Sequence, residues 1–317
     1  MIVSRRSHAQ VRIVQSRRFT FLEIRAFIYD FRQRLVGKSS GPQEVKNLIK
    51  QQSSFGKVRE SQAHRVVDNL WIPANEELLT RVLESKVQAH RLFIGPNIAI
   101  EKPKLSELIL QIPNSRVLVP SASMRDILLD RKLGYTSENI LIWFAGVDQE
   151  FWKPTEGPEK NFVLVYQKGP DSEERVKIVE KSLLKLKIPS ATLRYGEYRQ
   201  GEYFRLLNKC KFVIWVGHTE TQGIAQFQAW AMNVPTLVSG LPKRRLEERD
   251  GLMASAAPYL NEKTGILARR EYPSLEEIMS MNNLFEDYSP RLWVTENATR
   301  ELTISNLVKI FDDSIAN

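Results

Sequence analysis

Short apolar, β-branched runs alternate with helical patterns along most of the chain. The strand-like runs are RLFIG from Arg91, VLVPS from Val117, ILIWF from Ile140, FVLVY from Phe162, ATLRY from Ala191, FVIWV from Phe212 and PTLVS from Pro235. Helical patterns fall at about 124–132, 172–186, 202–208 and 223–232. Strands that alternate with helices of about 10–15 residues indicate parallel sheets with helical crossovers. The pattern therefore predicts an α/β fold.

A stretch rich in Pro, Gly and charge interrupts this alternation, FWKPTEGPEK from Phe151 to Lys160. Such a composition is typical of a linker. We therefore expect two doubly wound halves, a first domain over residues 1–152 and a second over 153–290. The remaining residues, 291–317, are expected to form C-terminal helices.

The first 36 residues combine basic charge with a further helical pattern. Val11–Gln15 could form a strand, and the residues that fall on one face of a helix after it are Ile24, Phe27, Ile28, Phe31 and Leu35. These elements would open an α/β domain; alternatively, the helix is a basic amphipathic one that lies on an anionic membrane. Five Arg and no acidic residue within residues 1–22 also fit a targeting leader. The sequence leaves the three interpretations open.

The net charge of +9 belongs to one end of the chain. Residues 1–50 hold 11 Lys+Arg and 3 Asp+Glu, whereas the other 267 residues hold 35 and 34. Nucleic-acid binding requires a basic face or groove, so we expect no nucleic-acid partner. No uncharged run suits a transmembrane helix. We therefore expect a cytoplasmic protein, with peripheral contact at the inner membrane face through residues 1–36 as an open alternative.

Several familiar motifs are absent from the sequence. No two of the 15 glycines lie two positions apart, which excludes the GxGxxG dinucleotide fingerprint, and no P-loop is present. No two Asp lie two positions apart, so a metal-binding DxD is missing. Four scattered His and one Cys give no metal-ligand spacing. We expect no metal site, and we expect Cys210 to be a small core residue.

One segment, from Gly217 to Val238, combines features of a ligand site. An apolar strand ends at Val216, a polar loop follows, and a helix begins at Gly223. In an open α/β sheet, ligands bind beyond the carboxyl ends of strands. A helix N-terminus offers unpaired N–H groups and a positive dipole end, which suit a phosphate. An ordinary βαβ turn with polar loop residues is the alternative.

Motifs in this region resemble those of retaining GT-B glycosyltransferases, broadly family four. ETQG from Glu220 and QAWAMNVP from Gln228 are similar to their E-x7-E and EAMA-x-G-x-P signature. GVD from Gly146, followed by FWKP from Phe151, resembles the segment that closes their first domain. The resemblance covers about residues 91–317. It implies a GT-B-like α/β fold, in which two Rossmann-like doubly wound domains face a cleft and the first, acceptor-side domain is degenerate or shortened.

The resemblance also implies roles for individual residues. Glu220 and Lys168 would be catalytic, with Glu220 binding donor-sugar hydroxyls and Lys168 neutralising the diphosphate. The residues that would bind the rest of a nucleotide-sugar are Thr221, Gln222, Gly223, Ile224 and Gln228. The donor substrate would be a nucleoside-diphosphate sugar, with no tightly bound cofactor, and the acceptor a glycan or a lipid-linked molecule of polysaccharide biosynthesis. The implied activity is that of a hexosyltransferase-like enzyme.

The sequence departs from the family pattern at position 228, where Gln stands in place of Glu. A carboxylate accepts from both ribose hydroxyls, whereas an amide accepts at one end and donates at the other. The alternative function is therefore a catalytically inactive GT-B-like protein that binds nucleotide-sugars or assists an active partner.

Overall fold

A computed structural model describes most of the chain after residue 66. The described residues are 11–12, 67–74, 76, 79–80, 89–97, 102–112, 114–157, 159–169, 172–217, 219–240 and 256–313. The chain divides into two compact units. The first comprises residues 1–120, 124–143 and 308–317, and the second comprises 121–123 and 144–307. Compact units need not fold independently, so the domain bounds at 152 and 290 stay a prediction.

The first unit contains a five-stranded parallel sheet whose strands follow one another in chain order. These strands are β1 (Val11–Arg12), β2 (Val67–Ala74), β3 (Ala89–Asn97), β4 (Ser115–Val119) and β5 (Ile140–Ile142), with helices α1 (Pro103–Leu110) and α2 (Ala122–Asp130) after β3 and β4. Alternate strand residues, such as Ile94 and Val117, face one side of the sheet and pack with Ile109 and Leu128 of the helices. The predicted strands at 91, 117 and 140 and the predicted helix near 124 are confirmed.

The second unit contains another five-stranded parallel sheet, in the order β7-β6-β8-β9-β10. Its strands are β6 (Phe162–Gln167), β7 (Ser190–Arg194), β8 (Cys210–Val216), β9 (Thr236–Val238) and β10 (Gly265–Leu267). Its helices are α3 (Glu173–Lys185), α4 (Gln200–Lys209), α5 (Ile224–Ala231), α6 (Leu275–Leu284), α7 (Pro290–Asn297) and α8 (Arg300–Asp313). All strands and helices that the sequence predicts between 162 and 239 are confirmed, as is the α/β class.

The strand order of this second sheet contains one reversal. The chain passes from β6 to β7 on one side, and β8 then returns to the other side of β6. Such a reversal opens a crevice beyond the carboxyl ends of the two central strands, and this is where ligands bind in doubly wound sheets. Gln167 pairs with Val216 at the last register position of β6 and β8. Lys168 and Gly217 therefore leave neighbouring strands at the same edge.

The two faces of β6 and β8 are packed differently. On one face, Val165 and Ile214 belong to an aliphatic core with residues of α3 and α6. On the other face, the ring of Tyr166 stacks on Trp215, with centroids 4.1 Å apart and planes 10° apart. Aromatic pairs contribute about 0.5–1.5 kcal/mol beyond the area that they bury. The strand ends that carry the site are therefore anchored by buried side chains on both faces.

Several predictions about single residues and short segments can be compared with the structure. Cys210 is a free, fully buried thiol, as predicted. Within the described ranges, no helix is long and apolar enough to cross a membrane. The described residues also contain no cluster of three potential metal ligands among His, Cys, Asp and Glu. Of the strand expected at Val11–Gln15, the first two residues form β1. The rest of it and the helix expected after it lie outside the described residues.

Candidate functional site

An ion pair between Lys168 and Glu220 spans the crevice of the second sheet. Lys168 directly follows β6, and Glu220 lies in the loop between β8 and α5. The Nζ atom of Lys168 lies 2.8 Å from each carboxylate oxygen and donates its hydrogen bond to Oε2. The Oε1 atom is buried and accepts no hydrogen bond from the part of the chain described. The structure thus brings the two residues predicted as catalytic into direct contact.

The electrostatics of the pair are set by burial. The Glu220 residue is 8% exposed. Its burial raises the pKa of the carboxyl group, and the Lys168 ammonium opposes that shift. The same ammonium lies 4.5 Å from the ring centroid of Tyr195, within the range of a cation–π interaction. An ammonium has three N–H donors, so an anionic ligand can take the place of the carboxylate as the partner of this cation.

The N-terminus of α5 follows Glu220 after two residues. Gly223 has a φ of 87°, in the left-handed region where a side chain is strained. A Cβ atom there would also collide with Oε1 of Gln226. The first N–H groups of a helix lack intrahelical partners, and those of Gly223, Ile224 and Ala225 donate no hydrogen bond within the described ranges. These amides and the helix dipole form a surface that suits an anion.

The side chain of Gln222 is engaged elsewhere in the same unit. Its Nε2 donates to the Ala145 carbonyl at 2.6 Å, and its Oε1 accepts from the Ala145 N–H at 3.1 Å. Gln222 is buried, whereas Thr221 and Ile224 are exposed. The side-chain amide of Gln222 is therefore directed towards Ala145.

Gln228 lies on the buried side of α5, 3% exposed. It is five residues beyond Gly223, or about 7.5 Å along the axis. The structure does not link it to Glu220, and its role in ribose binding stays a prediction.

Two further features of the site were missed by the sequence analysis. Arg175 of α3 is 4% exposed and donates to the carbonyls of Gly217 and Gly240, at 3.1 and 3.2 Å. It lies among apolar residues of an amphipathic helix, and this was the only signal in the sequence. Tyr198 shares a 2.7 Å hydrogen bond with Tyr166, and burial raises the pKa of Tyr198 to about 12.

These features define the class of protein as a doubly wound α/β protein, with an ion pair and a helix N-terminus at its strand reversal. No protein-family model matches the sequence, and a search of curated proteins finds no match either. Among solved structures, the chain is similar to a mutant of S. aureus TarM in complex with fondaparinux, α-GlcNAc-glycerol and UDP. The TM-score is 0.54 at 13% sequence identity, over 77% of this chain and 55% of TarM. This chain thus spans about half the length of that protein.

Two more solved structures are similar to this chain in their overall fold. Anabaena HepE in complex with UDP matches with a TM-score of 0.54 at 11% identity, over 78% of this chain and 79% of HepE. The lipopolysaccharide outer core galactosyltransferase WaaB, in its apo form, matches with a TM-score of 0.52 at 11% identity, over 80% and 77%. The fold of this chain is therefore GT-B-like, as the sequence resemblance implied.

Proposed function

We propose that this protein is a retaining glycosyltransferase of hexosyltransferase type, with a nucleoside-diphosphate sugar as donor and a glycan or lipid-linked acceptor. The observation that carries the proposal is the Lys168–Glu220 ion pair at the strand reversal of the second sheet. It places a cation and a hydrogen-bonding carboxylate next to a helix N-terminus. A diphosphate joined to a sugar presents the matching groups, two anionic phosphates followed by hydroxyls.

In the proposed reaction, the bond between the anomeric carbon and the diphosphate oxygen breaks. A bond forms from that carbon to an acceptor hydroxyl oxygen on the same face, and the acceptor proton leaves with the departing diphosphate. Negative charge therefore grows on the leaving group in the transition state. Lys168 and the amides of Gly223 and Ile224 stabilise this charge, which is the dominant electrostatic task of such a site. Glu220 accepts hydrogen bonds from the donor sugar and fixes its orientation.

Similarity to the solved structures supports the donor class. HepE is also known in complex with UDP-glucose, and it matches this chain with a TM-score of 0.51 at 12% identity. The acceptor rests on the sequence resemblance alone. The same holds for retention of configuration and for the assignment of the first domain to the acceptor. Contact of residues 1–36 with an anionic membrane rests on the basic charge and the amphipathic pattern of that segment.

The alternative function rests on one feature of the sequence, the amide of Gln228 in place of a carboxylate. A protein that binds a nucleotide-sugar without transferring the sugar would keep the ion pair and the helix N-terminus but tolerate this change. Calorimetry with UDP-, GDP- and ADP-sugars, together with transfer assays over a broad acceptor panel, separates the two functions. Binding without turnover supports the second.

The test of the enzyme is to replace each member of the ion pair. Lys168→Ala and Glu220→Ala should each lower the rate of sugar transfer by about 10²–10³-fold, the loss seen when one preorganised electrostatic group is removed. The matched controls are Lys263→Ala and Glu296→Ala, which break an exposed 3.0 Å ion pair of the same unit. Transfer at the wild-type rate by both site variants would refute the assignment.

A further inference from the structure

The side chain of Gln222 attaches the loop that carries Glu220 to a distant part of the chain. Gln222 forms two hydrogen bonds with Ala145, one to its carbonyl at 2.6 Å and one from its N–H at 3.1 Å. The two residues are 77 positions apart in the sequence. The two hydrogen bonds end on the carbonyl and the N–H of the same residue. Together they fix both the distance and the rotation of the Gln222 amide. A single hydrogen bond would leave it free to pivot.

The segment that Gln222 holds is itself firmly packed within the second unit. Phe144 makes an edge contact with Phe227 of α5, with centroids 5.6 Å apart. The Gly146 N–H donates to Thr303 Oγ1 at 3.0 Å. Val147 forms an isolated parallel bridge with Thr299. The segment from 144 to 147 is therefore a rigid support, and the loop at 220–223 is the part that it can position.

The position of Gln222 in that loop gives the attachment a functional meaning. Gln222 lies between Glu220, whose carboxylate holds Lys168, and Gly223, whose N–H begins the anion surface of α5. Rotation of the backbone at 222 would move both groups. Within the described residues, the loop side chains from 219 to 221 form no hydrogen bond that would compensate, apart from the Glu220–Lys168 pair.

We propose that Gln222 is a positioning residue for the nucleoside-diphosphate site. Its two hydrogen bonds to Ala145 hold the Glu220 carboxylate and the Gly223 amide in the geometry that binds the diphosphate. Gln222 itself contributes no side-chain contact to the ligand. This inference rests on the proposed function, because it concerns the same ligand.

The variant Gln222→Glu tests the proposal because it can be switched by pH. A protonated Glu side chain has the shape of Gln, so it can donate to the Ala145 carbonyl and accept from the Ala145 N–H. The ionised form only accepts, and it faces a carbonyl oxygen. This disfavours the charged form, so the pKa of the new carboxyl should lie above the ordinary Glu value of about 4.3.

We expect the affinity of Gln222→Glu for UDP, measured by calorimetry, to approach the wild-type value at low pH. As the pH rises through the raised pKa, it should weaken roughly tenfold relative to the wild type, for the loss of one hydrogen bond and the repulsion that replaces it. Gln222→Met, which fills a similar volume without hydrogen bonds, should be weaker at every pH. Charged groups along the two segments are Glu220 with Lys168, and Asp148 with Arg300. The wild type carries all four groups, so their titration cancels in the ratio of the variant's UDP affinity to that of the wild type at each pH.

The outcomes separate this inference from the function on which it rests. If the wild type binds none of UDP, GDP and ADP, the proposed function fails and the inference fails with it. If the wild type binds UDP and both variants bind it equally well at all pH values, Gln222 has no positioning role. A loss of thermal stability with unchanged UDP affinity would assign Gln222 to folding alone and would also overturn the proposal. A pH-dependent affinity ratio in Gln222→Glu supports it.

Discussion

Replacing Gly223 with alanine should destabilise the protein by about 2–5 kcal/mol, in two parts. The φ of 87° at this position lies in the left-handed region, where a residue with a Cβ costs about 1–2 kcal/mol. The new Cβ would also collide with Gln226 Oε1. Relieving that collision moves the Gln226 amide away from the buried Ala256 carbonyl, to which its Nε2 donates at 2.8 Å. Unpaired buried polar groups cost about 1–3 kcal/mol.

Two other glycines of the second unit allow the backbone cost to be measured apart from the cost of the collision. Gly196 has a φ of 85°, but no described atom lies within 4 Å of its would-be Cβ, so Gly196→Ala should lose only about 1–2 kcal/mol. Gly201 lies in helix α4 with similar open space around its Cβ position. Gly201→Ala should therefore gain about 0.5–1 kcal/mol.

The assay is urea unfolding of the three variants and the wild type, followed by circular dichroism, with UDP affinity measured in parallel. The order of unfolding free energies should be Gly201→Ala, wild type, Gly196→Ala, Gly223→Ala, from most to least stable. The last variant should also bind UDP more weakly, because its helix N-terminus is displaced. If Gly223→Ala were as stable as Gly196→Ala, the close approach of Gln226 to Gly223 would be wrong.

Two further predictions concern buried polar groups of the site. Burial raises the pKa of Glu220 above its ordinary value, so the folded state holds this proton more tightly than the unfolded state. The wild type should therefore lose unfolding free energy as the pH rises through the raised pKa, and Glu220→Gln should lack this loss; parallel pH profiles of the two would contradict it. Gln228→Leu keeps a side chain of similar volume on the buried side of α5, so it should change the unfolding free energy by less than about 1.5 kcal/mol. It should nevertheless weaken UDP binding, as measured by calorimetry, and unchanged affinity would remove Gln228 from the site.

Much of the second unit could be predicted because its strands are nearly continuous apolar runs. FVLVY at β6 and CKFVIWV at β8 are typical of strands covered on both faces. By contrast, β2 has the sequence VDNLWIPA, in which Asp68, Asn69 and Pro73 are poor strand formers. Local preference argues against a strand there, and pairing with β1 and β3 prevails over it. This strand was therefore not predicted from the sequence.

The site was predictable in its members but not in their contacts. Lys168 and Glu220 each follow an apolar strand, so both could be placed at the carboxyl edge of the sheet. Their 2.8 Å contact depends on β6 and β8 being neighbours. The two strands are neighbours because β8 lies on the side of β6 opposite to β7, and no local sequence pattern encodes this strand order. The Gln222–Ala145 contact joins residues 77 apart, and for the same reason no spacing rule could have found it.

The ion pair also determines what kind of molecule can occupy the crevice. Before any ligand arrives, Lys168 already has a counter-ion, so binding at this lysine is an exchange of one anion for another. A singly charged ligand gains little from such an exchange, because it merely replaces the carboxylate. A diphosphate gains more, because it brings a second charge to the helix N-terminus and frees Glu220 to accept from a sugar hydroxyl. Under the proposed function, this exchange selects against a singly charged anion and against a free sugar, and it favours a molecule in which a sugar is joined to a diphosphate.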